Sequence, residues 1–342
     1  MNILRLIKRI VLLLFLIILF GGASIFLYLF VGSASQAETI SWGVNFSQKR
    51  PGDLDLDWRE TYIAILDDLG AQRLKIAVHW DTIEPEQDQF RFDDIDWQIQ
   101  EAERRSAQIL LVIGMKTPRW PECHIPEWLR GMEKKEQQQQ ILEMLETVVS
   151  RYKNSDAIWG WQVENEPFLE FGVCPWMIDE EFLRREVTLV KALDETRPVV
   201  ISGSGEWSFW TKPVRVADIV GTTLYRKAWF SEYDRYLEYS YPPVYYSRKA
   251  DIIRFIYDKK VIGVELQAEP WVPVALKDAS LKEQSETMSL AKFQENIEYA
   301  KRTGFDEFYL WGAEWWYWMK VNYSDNPNAQ IWNEAKKLFN VL

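Results

Sequence analysis

The feature that most constrains this chain is an alternation that begins near Ile40 and runs to its end. Short apolar runs, rich in β-branched residues, alternate with longer stretches whose apolar residues recur at helical spacing. "ISWGVNF" is followed by the helix-like "DWRETYIAILDDLG", and "AQRLKIAVHW" by "DDIDWQIQEAERRS". "AQILLVIGM" leads to "KKEQQQQILEMLETVVSRY", whose glutamine run sits inside a helical period and is not a linker. "AIWGWQV" precedes "DEEFLRREVTLVKALDE"; "RPVVISGS" and "ADIVGTTLY" are the fifth and sixth strands. "SRKADIIRFIYDK" is a helix before strand seven, "KVIGVEL". One helix over "EQSETMSLAKFQENIEYAKRTG", stopped by Gly304, leads to strand eight, "FDEFYLWGA", and "AQIWNEAKKLFNVL" closes the chain. The weakest helix is the fifth, where "EWSFWTKPVRV" is short and irregular. Eight strands in alternation with about eight helices predict an α/β fold, a (β/α)8 (TIM) barrel spanning residues 38–342 as one domain. A doubly wound open sheet would announce itself by a glycine-rich first turn, which this sequence lacks.

Residues 1–37 are of a different kind. Arg5, Lys8 and Arg9 precede an uncharged run over residues 10–31. As a helix that run would span about 33 Å, enough to cross the hydrocarbon core and longer than the apolar part of most signal peptides. The segment is expected to be a transmembrane signal anchor followed by a short linker. Cleavage near Ser35 and Ala37 is the alternative, giving a secreted protein. Either way the basic flank stays in the cytoplasm and the barrel is extracytoplasmic. The first 37 residues hold three basic and no acidic side chains, so the remainder carries −14 against −11 for the whole chain. Such an acidic domain is a poor partner for nucleic acid or anionic surfaces and is compatible with neutral ligands.

Chemistry in a barrel of this type gathers at the C-terminal ends of its strands. Strand four ends in "WGWQVENEP", which is odd, because carboxylates are poor strand formers and costly to bury. Glu166 there and Glu265 at the end of strand seven would face one another across the barrel mouth. Two facing carboxyl groups suit glycoside hydrolysis, in which one protonates the leaving oxygen and the other attacks. A separation of about 5–5.5 Å implies retention of configuration. The two histidines, His79 and His124, are too few for a zinc site, and no Walker or GxGxxG loop is present; no metal or organic cofactor is expected.

"WGWQVENEP" resembles the strand-four signature of the clan A glycoside hydrolases, which include family 5 cellulases and mannanases and family 42 β-galactosidases. The stretch "HWDTIEPEQDQFRFDDID" is also similar to the segment that follows strand two in these enzymes. The resemblance implies Glu166 as acid/base, Asn165 as a contact to the sugar 2-hydroxyl, and Glu265 as nucleophile. It also implies Arg73 on strand two and Tyr225 after strand six as holders of the nucleophile, with Trp311 as the sugar floor. "ELQAEPW" contains a second candidate nucleophile, Glu269, although the strand end favours Glu265. Trp80, at the end of strand two, His124 and Trp271 are further candidate substrate contacts. Glu164 shares the parity of Glu166 and reads as a structural partner for Arg73 or another buried donor.

The 18 tryptophans divide. Trp159 and Trp161 belong to strand packing. Trp120, Trp176, Trp207, Trp210, Trp229, Trp271 and Trp315 follow strands and are candidates for stacking on apolar sugar faces. Cys123 and Cys174 follow adjacent strands, and an exported barrel predicts a disulfide between them. The expected activity is that of a retaining β-glycosidase, monomeric, acting on a carbohydrate and tethered by its N-terminal helix. A transglycosylase would use the same residues. A non-catalytic glycan-binding barrel would keep the aromatic face but tolerate loss of either carboxylate.

Overall fold

The computed structural model describes residues 3–339. Eight parallel strands close into a barrel: β1 (Ser41–Phe46), β2 (Arg73–Ala77), β3 (Gln108–Ile113), β4 (Ile158–Val163), β5 (Val199–Gly203), β6 (Ile219–Leu224), β9 (Lys260–Gln267) and β10 (Glu307–Trp311). A two-stranded antiparallel hairpin, β7 (Lys227–Phe230) with β8 (Arg235–Glu238), is inserted after β6. No strong period-two alternation marks that stretch of the sequence. The outer faces of the barrel strands pack on a ring of helices to form one large apolar core.

The helices begin where short polar residues can take up free backbone N–H groups. Asp57 caps Trp58–Asp67, Asp179 caps Glu180–Leu193 and Ser280 caps Leu281–Thr287. The long helix expected over residues 283–304 is in fact two, Leu281–Thr287 and Leu290–Lys301, because Ser289 turns extended and caps the second. Between β5 and β6 only a single turn, Pro213–Arg215, replaces a helix. The sequence "AEWWYWMKVN" forms an additional helix, Ala313–Asn322, in which seven consecutive residues from Ala313 to Met319 are buried. A helix buried on every side has no amphipathic period to betray it.

Two local irregularities decide what enters the barrel mouth. The register of β9 on β6 passes from Gly263 opposite Thr222 to Glu265 opposite Thr223, so Val264 is one residue too many. Gly263 faces outward, against the ring of Phe308. Strict alternation would put Glu265 on that outward side; the bulge turns it inward. At the end of β4, Glu164 and Glu166 both adopt left-handed backbone, with φ of 61° and 44°. That conformation is rare for side-chain-bearing residues and ends the alternation of the strand.

Candidate active site

The inward residues at the C-terminal end of the barrel form the floor of a cleft of about 360 Å³. Glu166, Glu265, Asn165, Tyr225, Trp271 and Trp311 all line it. Glu265 is gripped at both oxygens: the Lys75 ammonium donates to Oε1 at 2.8 Å and the Tyr225 hydroxyl to Oε2 at 2.8 Å. Lys75 and Glu265 are both almost wholly buried. Tyr225 is set in turn by Glu206, whose Oε1 accepts the Tyr225 backbone N–H at 2.9 Å and the Tyr246 hydroxyl at 2.9 Å. Trp271 meets the Tyr225 ring edge-on at 5.1 Å.

Among the described residues no cation pairs with the Glu166 carboxyl group. Its Oε1 accepts from the Thr223 hydroxyl at 3.2 Å, and its backbone N–H donates to Ser202 Oγ at 2.8 Å. Burial, reinforced by the negative charge of Glu265, pushes its carboxyl up to about 8. A carboxyl group so placed keeps its proton at neutral pH, while Glu265 sits against an ammonium. In carboxyl pairs of this kind, unlike environments are what set an acid apart from a nucleophile. Asn165 is oriented by Gln162, whose Nε2 donates to Asn165 Oδ1 at 3.1 Å. The Asn165 Nδ2 is thereby left to face Glu122, 3.4 Å away.

Several expected residues lie elsewhere. Arg73 is the first residue of β2 and points into the opposite end of the barrel, donating to Glu307 at 3.2 Å and lying over the Trp159 ring. Two residues along, about 7 Å higher, the same inward face presents Lys75. The cation that holds Glu265 is therefore Lys75, not Arg73. Glu164 is the structural carboxylate expected, partnered by other buried donors and not by Arg73. Its oxygens accept the backbone N–H groups of Met115 and Lys116 at 2.8 and 2.6 Å, in a space that any side chain at Gly114 would fill. It faces Glu186, and burial holds both carboxyls above the usual range, that of Glu186 the more strongly.

Glu269 lies outside the cleft lining, where it pairs with Arg119 and with Arg50 at 3.2 Å. Burial opposes its charge, but these two guanidiniums outweigh that and hold it below the ordinary carboxylate range. Trp80 is fully buried, its indole N–H on Glu84, and does not reach the cleft. His124 is buried too; its Nε2 meets the Arg119 carbonyl at 3.0 Å, and its ring lies 4.0 Å from that of His79. Both histidines serve the wall behind the site.

Of the loop tryptophans, Trp207, Trp229 and Trp271 line the cleft. Trp210 and Trp315 are fully buried, and Trp176 packs on Phe182 with its N–H on Gln137. Trp120 is exposed beside Phe171. Trp311 forms part of the floor, its ring stacked under the Arg119 guanidinium at 4.0 Å. Cys123 and Cys174 are disulfide-bonded, tying the loops after β3 and β4 together beside Glu166.

Two functional candidates were missed. Glu206 and Glu122 both line the cleft, and burial raises the Glu122 carboxyl to about 7. Glu122 stands next to the bonded Cys123 in the loop after strand three; a carboxylate beside a cysteine that pins such a loop was a usable signal. Among the described residues, no lysine, arginine or histidine lines the cleft, and no three metal-binding side chains come together.

The model of glycosyl hydrolase family 10 matches residues 65–185, about a third of the chain. No curated protein matches the sequence. Among solved structures, a β-galactosidase from Rahnella sp. R3 superposes with a TM-score of 0.59 at 12% identity, over 91% of this chain and 57% of that one. An endo-β-1,4-xylanase of family 10 from Gloeophyllum trabeum gives 0.56 at 13% identity, over 89% of this chain and 97% of the xylanase. A family GH5_18 protein from Streptomyces cattleya, in complex with GlcNAc, gives 0.56 at 11%, over 81% and 71%. This chain spans little more than half the length of the β-galactosidases it matches. At these identities the structural likeness is one of fold. The family match and the barrel together make the chain similar to the clan A glycoside hydrolases.

Proposed function

We propose that this chain is a retaining β-glycosidase, carried outside the cytoplasm on its N-terminal helix as a single-pass anchor. One observation carries the enzymatic reading: two carboxyl groups line one cleft in different settings, Glu166 with its carboxyl pushed up to about 8 by burial and Glu265 held by an ammonium and a phenol. In the first step a Glu265 oxygen attacks the anomeric carbon as the glycosidic C–O bond breaks. Glu166 gives its proton to the departing oxygen. Glu166, now a carboxylate, takes a proton from the water that attacks the glycosyl–Glu265 ester, and both groups return to their starting states. In this reading Asn165 contacts the 2-hydroxyl, and Glu122 lies 3.4 Å from its amide nitrogen. Trp311 and Trp271 provide flat surfaces for the sugar.

The lining also supports a substrate class. With several carboxyl groups and no cation among its described residues, the cleft has nothing to hold a uronate or a sulfated sugar. Neutral β-glycans with apolar faces fit it.

The test is release of reducing ends from β-glucans, mannans, galactans, xylans and aryl β-glycosides by wild type, Glu166→Gln, Glu265→Gln and Glu269→Gln. Activity abolished by the first two variants and retained in a folded Glu269→Gln supports the reading. Glycan binding without turnover on any substrate would replace it with a tethered binding protein. Products longer than the substrate would identify a transglycosylase.

A further inference from the structure

The helix Pro243–Tyr257 carries an apolar surface that the active site does not use. Phe255 is 91% exposed, Ile256 61% and Ile252 38%, and Phe255 and Ile256 adjoin in the last turn. At 100° per residue, Tyr245, Arg248, Ile252, Phe255 and Ile256 fall on one face. The first two of these already touch the N-terminal helix Ile3–Phe30. Phe30 stacks on Tyr245 at 5.1 Å, and the Arg248 guanidinium lies over the Tyr28 ring at 5.0 Å. The exposed apolar residues therefore continue a face whose beginning is the seat of the apolar helix.

The order of those contacts fixes a direction. Moving along Pro243–Tyr257 from Tyr245 to Arg248 moves back along the N-terminal helix from Phe30 to Tyr28. The two helices run antiparallel where they meet. Phe255 is seven residues beyond Arg248, about 10 Å further toward the residues that would lie in lipid. Back along the N-terminal helix from Tyr28 its own apolar residues, Ile25 and Phe26 among them, are exposed too, so both helices leave apolar side chains uncovered beyond the point where they meet. The segment that joins helix to barrel lies at the same end: the Ser35 carbonyl sits where a side chain on Gly304 would be, just before β10 begins. Strand β9 starts at Lys260, three residues after the helix stops, so the patch lies at the N-terminal end of the barrel. The cleft is at the other end.

We infer that Ile252, Phe255 and Ile256 insert into the outer leaflet beside the anchor, so that the barrel stands on the bilayer by its N-terminal end with its cleft facing away. The occupant of this uncovered apolar face is lipid. Arg248 and Arg254 flank the apolar residues, each within 3.6 Å of Asp251, and long arginine stems can lie along apolar surface while their heads stay at the headgroup level. The inference rests on the N-terminal helix being retained as an anchor. It assigns to the glycosidase a fixed posture, with the mouth presented to polymers that approach from outside and not to lipid-linked glycans in the plane of its own membrane.

The test uses the full chain in nanodiscs of phosphatidylethanolamine and phosphatidylglycerol. A nitroxide is attached in turn to Phe255→Cys, Ile256→Cys, Phe20→Cys in the anchor, and Glu238→Cys on the hairpin at the cleft end. Collision rates are read with oxygen, which concentrates in lipid, and with a water-soluble nickel chelate. Labels at 255 and 256 are expected to behave like the label at 20, favouring oxygen at least tenfold over the label at 238. Nickel-accessible labels at 255 and 256 with a lipid-exposed label at 20 overturn the posture alone. Water exposure at all four positions overturns the anchor reading with it. Strong spin–spin broadening between copies at 255 would mean that a second chain covers the patch, and also overturns it.

Discussion

The two ends of the barrel hold the same three kinds of side chain in different settings. At the N-terminal end, Arg73 donates to Glu307, and the Tyr309 hydroxyl donates to the same Glu307 oxygen at 3.1 Å. At the C-terminal end, Lys75 and Tyr225 hold Glu265. The lower trio is closed off by Trp159, whose indole N–H reaches the Tyr309 oxygen at 3.0 Å while Arg73 lies over its ring. The upper trio opens on the cleft, with each oxygen of Glu265 given one donor from a different element. A base, a carboxylate and a tyrosine thus form a plug at one end and a proposed reaction centre at the other. What differs is access: the upper trio shares an open cleft with a second carboxyl group, Glu166, whereas below, the other oxygen of Glu307 accepts from Lys260 at 3.3 Å, which also pairs with Asp306 at 2.9 Å.

The comparison is most easily broken by paired substitutions. Glu265→Ala is expected to lower kcat/KM by more than about 10⁴-fold, the scale seen when a group that acts as part of a covalent mechanism is removed. Azide should restore turnover of an activated aryl glycoside, giving a glycosyl azide of inverted configuration; Glu166→Ala with azide should give the retained one. Glu307→Ala should leave kcat/KM within a few-fold and cost stability, about 2 kcal/mol, because Arg73 loses a buried partner at a partly exposed site. A dead Glu307→Ala that still folds would end the distinction.

Lys75→Met and Arg73→Met come next. Removing the ammonium from Glu265 is expected to cost about 10²-fold in kcat or more, on the scale of losing one preorganised electrostatic donor. Arg73→Met should shift the melting temperature and leave the rate unchanged. Equal rate losses in the two variants would show that the lower trio also serves catalysis. A smaller contrast separates Tyr225→Phe from Tyr309→Phe. The first removes a hydrogen bond to a charged group, worth about 1.5–3 kcal/mol, and should slow turnover by roughly ten- to a hundredfold. The second should lower stability by about 1 kcal/mol and show wild-type kinetics.

The smallest effect sharpens the role of the second carboxyl group. With Glu166 as the proposed acid, kcat/KM should fall as pH rises through about 8, where its proton is lost. The negative charge of Glu122 helps to hold that proton. Glu122→Gln should therefore move the alkaline limb to lower pH by a fraction of a unit; movement to higher pH would contradict the assignment. The same raised carboxyl has a stability consequence. Because the folded value lies above the ordinary 4.5, its contribution is complete below about pH 4.5 and is lost as pH rises through about 8. Thermal melts across that window should show Glu166→Gln gaining on wild type toward the alkaline end.

Much of this architecture was legible before any coordinates. The eight-fold alternation is a local signal, repeated often enough that one weak helix could not obscure it. Asn165, Glu166 and Glu265 stood out because carboxylates and amides at strand ends contradict strand propensity and demand a reason. Arg73 was misplaced by two residues of one strand, a distance too small for sequence pattern to resolve but equal to one full step from plug to cleft. Trp80 and His124 failed for another reason: their polar atoms find protein partners, Glu84 and the Arg119 carbonyl, and so need no ligand. Trp315 reads as a loop residue in the sequence because the helix that holds it, buried from Ala313 to Met319, shows no amphipathic period.

The sequence by itself determined the barrel, the apolar N-terminal helix, and the pair of acidic strand ends, since each is written in local composition and period. Only the tertiary structure decided which carboxylates look into the cleft. The extra residue at Val264 turns Glu265 inward, the left-handed backbone at Glu164 and Glu166 sends one outward and one inward, and Arg119 and Arg50 remove Glu269 to an ion-pair cluster. Side-chain direction at a strand end depends on bulges and backbone φ, which are set by neighbouring strands and distant partners. No reading of period along the chain contains them.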